Sequence, residues 1–86
     1  MRTIWKYSLA GGPLPVAVDI PTGGEIKHFG LDGTTPAIWV EVDTDSPATT
    51  RRLFDIFGTG QEIPAGAKYV GTFFAAPYVW HIHEVQ

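Results

Sequence analysis

The 86-residue chain contains no cysteine. No disulfide can staple it, and no thiolate can bind a metal or attack a substrate. Helix-favouring residues are scarce: Leu, Met, Glu, Lys, Arg and Gln together number 17. No stretch longer than ten residues is free of glycine or proline. A helix interior penalises glycine by about 1 kcal/mol and proline by about 3 kcal/mol, and a spanning helix needs about 20 apolar residues. Bundles, coiled coils and membrane spans are therefore excluded as the basis of the fold. Basic runs are also missing. Six Lys and Arg face nine Asp and Glu, for a formal charge of −3, and Arg51-Arg52 is the only adjacent basic pair. Non-specific nucleic-acid binding draws its affinity from cations set against phosphates, so it is disfavoured. Met1–Lys6 has no apolar core of the kind a signal peptide carries, and a cytoplasmic protein is expected.

What is present in quantity is strand-forming. Val, Ile and Thr supply 23 residues and aromatics 11, the composition of a pleated, half-buried surface. Alternation predicts strands over 3–9, 15–20, 25–31, 37–42, 49–57, 67–75 and 78–85, separated by glycine- and proline-bearing turns. Trp5, Tyr7 and Leu9 share one face of the first. Ile26, His28 and Gly30 share one face of the third, opposite Lys27, Phe29 and Leu31. Tyr78, Trp80, Ile82 and Glu84 oppose His81 and His83 on the last. Asp32-Gly33 between two such runs predicts a hairpin. A short helix over 47–57 is the alternative for the fifth element, since Ser46-Pro47 resembles a helix start. Thr49-Thr50 and the β-branched and aromatic content favour a strand. The expected fold is all-β: one domain over 1–86, a small antiparallel sandwich or partly open barrel of six to seven strands. At this size the core is thin. Eleven large rings exceed what it needs, which points to a subunit interface or a ligand site.

Candidate chemistry is sparse. His81 and His83 lie two apart on a strand and share a face; with His28 they would make three nitrogens and an open position, as in a catalytic zinc site. Gly58-Thr59-Gly60 offers free backbone N–H groups to an anion, but no Lys-Ser or Lys-Thr pair completes a phosphate loop, and a hairpin connection explains the glycines better. Arg51 and Arg52 precede it, and Trp39, Tyr78 or Trp80 would stack on a base. Asp43 and Asp45 resemble the start of a calcium loop without its later positions and fit a capped turn better. No nucleophile elbow is present. No cofactor is implied.

Ile4-Trp5-Lys6-Tyr7, Ile20-Pro21 with Gly23-Gly24-Glu25-Ile26, Ile38-Trp39-Val40, Gly58-Thr59-Gly60, Tyr69-Val70-Gly71-Thr72 and Val79-Trp80-His81-Ile82 form a set spanning nearly the whole chain. In this order they resemble a family of short proteins of unknown function carried by bacteriophages and prophages. The resemblance implies a phage-encoded protein in the host cytoplasm and names no activity. The leading expectation is a non-catalytic, homo-oligomeric binding protein that sequesters a nucleotide-like signal of host defence, or a host protein. The alternatives are a metal-dependent enzyme using His28, His81 and His83, and a minor virion component.

Overall fold

Seven strands account for nearly all the regular structure: β1 (Arg2–Ser8), β2 (Val16–Pro21), β3 (Glu25–Asp32), β4 (Thr35–Asp43), β5 (Thr49–Gly58), β6 (Lys68–Ala75) and β7 (Tyr78–Val85). The computed structural model describes residues 1–85. β1, β4 and β3 form a three-stranded sheet in that order; β2, β5, β7 and β6 form a four-stranded one. Every pairing is antiparallel. The architecture is the expected small β fold, with two sheets and no closed barrel. Residues 49–57 are strand, as their β-branched and aromatic content predicts, and the helical alternative is not adopted. No helix among the described residues is long and apolar enough to cross a membrane.

Alternation decides which side chains meet between the sheets. Ile38, Val40 and Val42 of β4 face Val18 and Ile20 of β2, Phe54 of β5 and Ile82 of β7, and all are buried. Tyr7, Ile26, Phe29 and Phe73 pack around this cluster. The open edges of the two sheets approach where β3 meets β6. There the Phe29 ring lies against Gly71 and 6.1 Å from Phe73.

Two departures from simple alternation shape the surface. In β3 the register shifts between Ile26 and His28, leaving Lys27 as an extra residue. A one-residue bulge flips everything beyond it to the other face. Ile26 therefore shares the inner face with Phe29 and Leu31, while His28 and Gly30 face outward, correcting the strict alternation expected here. β6 has a matching irregularity between Tyr69 and Gly71, at Val70.

The connection 59–67 is not a hairpin. β5 and β6 are both neighbours of β7, which lies between them. The chain must bypass the width of one strand before β7 fills the gap, and a two-residue turn cannot do that. The true hairpins are β3–β4 and β6–β7. The first turns at Gly33, whose φ of 64° a residue with a side chain adopts only with difficulty.

Candidate functional site

The residues singled out as ligand-binding separate into three places. Arg51 and Arg52 are adjacent on β5, so they point to opposite faces. Arg51 lies outside, with 71% of its side chain exposed, and meets Asp19 at 3.5 Å. Arg52 lies inside at 20% exposure. Its Nε and Nη2 donate to the two carboxylate oxygens of Glu84 at 2.7 and 2.8 Å, and its Nη1 donates to the Gly24 carbonyl at 2.7 Å. The bond to Glu84 holds the guanidinium pKa above its ordinary value. Fork-to-fork pairing of this kind fixes geometry as well as charge. Arg52 thus joins β5, β7 and the turn entering β3.

Gly58-Thr59-Gly60 begins six residues further along β5, about 20 Å away. The arginines and this loop do not form one anion site. The Gly58 N–H already donates to Gln61 Oε1 at 2.9 Å, and the Gln61 N–H donates back to the Gly58 carbonyl at 3.0 Å. These bonds close a local turn.

Trp39 occupies the third place. It sits on the outer face of the three-stranded sheet, 5.4 Å from His28.

Four of the expected residues do converge. Gly58, Thr59, Tyr78 and Trp80, with Pro77 and Val79, line a cleft of about 360 Å³. Register explains it: Gly58 is directly opposite Trp80. With no side chain at Gly58, the indole settles over the backbone. Tyr78 lies two residues earlier on the same face, its ring 5.4 Å from that of Trp80. None of the lining residues carries a charge. An adjoining apolar cleft of about 230 Å³ is lined by Leu14, Ile56, Phe73 and Trp80. Phe74 and Tyr78, at the β6–β7 hairpin, are 76% and 61% exposed. This end of the sandwich presents large apolar groups to solvent.

The histidines do not gather. His28 is on the outer face of the three-stranded sheet, whereas His81 and His83 are on the outer face of the other. Both ring nitrogens of His81 have hydroxyl partners: Thr59 Oγ1 at 2.9 Å from Nε2 and Thr72 Oγ1 at 3.0 Å from Nδ1. Tyr69 extends this line by a 2.7 Å bond to Thr72. His83 is buried between the rings of Phe57 and Tyr69, and its Nδ1 has no hydrogen-bond partner. Among the described residues, no three His, Asp or Glu side chains are placed to share a metal ion. The aspartates at 43 and 45 cap a turn, with Asp43 Oδ1 accepting the Asp45 N–H at 3.0 Å.

Sequence reasoning did not find Arg52–Glu84, nor the line through Thr59, His81, Thr72 and Tyr69. Both depend on a register between strands distant in the chain. The alternating faces of β7 were the available signal: they put Glu84 inward and His81 outward.

The family model described as Domain of unknown function (DUF7352) matches residues 1–86. No curated protein and no solved structure matches the chain. The chain belongs to this family of unknown function.

Proposed function

We propose that this member of the family is a non-catalytic accessory protein that works as a homo-oligomer, with the Trp80 end of the sandwich as its binding surface. The observation that carries the reading is the exposure of Tyr78 beside the uncharged cleft of Gly58, Thr59, Tyr78 and Trp80, with Phe74 exposed on the other face of the same hairpin. Large rings exposed on both faces of one hairpin mark an interaction site on a small protein. Aromatic residues are also the ones that interface cores favour.

The ligand class follows from the lining. A flat, uncharged ring such as a nucleobase can stack on the exposed face of Tyr78 next to Trp80. No cation stands among the lining residues to hold a phosphate, so recognition centres on the base. Stacking supplies about 1–3 kcal/mol per base, whereas even millimolar binding requires about 4 kcal/mol. A single cleft is therefore half a site, and a second copy packed around the β6–β7 hairpin provides the other wall against Tyr78. The likeness of the sequence to short phage and prophage proteins supports placing this activity in the host cytoplasm, as sequestration of a base-bearing defence signal.

The test uses a chain whose only tryptophan is Trp80, made by Trp5→Phe and Trp39→Phe. Titration with adenosine, AMP and cyclic nucleotides is followed by Trp80 fluorescence. Saturable quenching is expected, with adenosine and AMP of similar affinity. No quenching by any of them removes the ligand from the proposal.

A further inference from the structure

A second cleft lies near the opposite end of β7, and its construction points to a different ligand. β3 and β6 approach each other at the seam between the sheets, and each is irregular at the level of the other. The extra residues are Lys27 and Val70. Bulges bend an edge strand and increase its twist, and between these two opens a cleft of about 400 Å³. Lys27, His28, Lys68 and Tyr69 line it and are exposed; Ile26 and Val70 line it and are half-buried against the core. The cleft thus has a polar, cationic mouth and apolar walls.

The one carboxylate in the lining is Glu84. Its two oxygens are taken by Arg52, which matches its charge. Lys68, directly opposite Glu84 on β6, has no carboxylate within 4.0 Å among the described residues. Lys27 has only loose neighbours, Glu25 at 3.5 Å and Glu41 at 3.9 Å. Exposed pairs at such distances hold little energy. Two ammonium groups from different sheets therefore border one cavity, and among the described residues neither is committed to a tight internal pair.

We propose that this cleft binds a small organic oxyanion, a phosphate monoester or a carboxylate, between Lys27 and Lys68, with the apolar body of the ligand against Ile26 and Val70. The site is distinct from the Trp80 end: on β7, Glu84 and Trp80 are four residues apart, about 13 Å.

Backbone amide resonances of the full chain, followed during titration with phenyl phosphate, benzoate, inorganic phosphate and benzyl alcohol, test this directly. Phenyl phosphate or benzoate is expected to shift residues 26–29 and 68–70 saturably at millimolar concentration, leaving residues 77–80 unmoved. Benzyl alcohol, which lacks the charge, should bind at least tenfold more weakly. Lys68→Gln should weaken the anions at least fivefold, Lys27→Gln/Lys68→Gln further, and Lys68→Arg should retain binding. Both lysines are exposed, and the amide spectrum of each variant reports directly whether the fold is kept. Failure of both organic anions to saturate, shifts scattered over the surface, or unchanged affinity in the folded double variant overturns the proposal. Equal affinity for inorganic phosphate and phenyl phosphate overturns the apolar part of it.

Discussion

The Phe29 ring rests directly on the backbone of Gly71, so that a Cβ at residue 71 would lie 2.6 Å from Phe29 Cγ and 2.9 Å from Phe29 Cβ. This contact joins β3 of one sheet to β6 of the other, where no backbone ladder connects them. Gly71 does not have a positive φ; glycine is required here for space. Gly71→Ala should destabilise by about 2–3 kcal/mol, the range of core overpacking. The double-mutant cycle with Phe29→Ala isolates the cause. Once the ring is gone, Gly71→Ala should cost under about 1 kcal/mol, measured by urea unfolding.

Arg52 and Glu84 make a second inter-element link. Glu84→Gln removes the charge that two guanidinium nitrogens need and leaves Arg52 half-buried without its counter-ion. A loss of about 2–3 kcal/mol is expected, as for hydrogen bonds to charged groups. Arg51→Gln, on the exposed face of the same strand, should change stability by less than about 0.5 kcal/mol. Denaturation of the two variants side by side separates the buried arginine from the solvated one.

Tyr7 packs against the core, and burial pushes its phenol pKa above the ordinary value near 10. The raised pKa sets the sign. The folded state holds the proton more tightly than the unfolded chain, so this contribution is complete below about pH 10 and is lost as pH rises through the folded pKa. Tyr7→Phe should therefore lose less thermal stability than the parent between about pH 9 and pH 11. Melting curves at both pH values check this.

His83 has a buried Nδ1 with no partner, among aromatic neighbours. A buried polar atom without a hydrogen bond costs about 1–3 kcal/mol. His83→Phe fills similar space without that atom. It should raise the melting temperature by several degrees, since about 1 kcal/mol corresponds to roughly 4–8 °C at this size. An unchanged or lowered value would mean that the imidazole has a partner, such as water.

Alternation and turn residues are enough to locate every strand, because most runs of Val, Ile, Thr and rings are bounded by glycine or proline and the fourth ends in the polar Asp43–Ser46 loop. The faces of β7 are equally readable: Trp80, Ile82 and Glu84 share one face and His81 and His83 the other, as the alternation predicts. The bulge at Lys27 was not readable, because nothing in Ile26-Lys27-His28 differs from ordinary strand sequence. It is imposed by pairing with β4. The length of the connection 59–67 has its reason, the insertion of β7 between β5 and β6, in topology. For the same reason the sequence could bring Gly58 and Trp80 under suspicion separately without showing that they are cross-strand partners. Arg51-Arg52 looked like one cationic feature in the chain; on a strand, adjacency means opposite faces.

Sedimentation velocity of the unmodified chain and of Phe74→Ser, across micromolar to millimolar concentration, tests the central claim most directly. Phe74 is exposed, so its replacement should leave the fold intact. The parent is expected to sediment as a dimer or larger assembly and Phe74→Ser as a monomer at the same concentrations. A parent that remains monomeric throughout, or a Phe74→Ser variant that assembles as well as the parent, would contradict the assignment of the Trp80 end as the working surface.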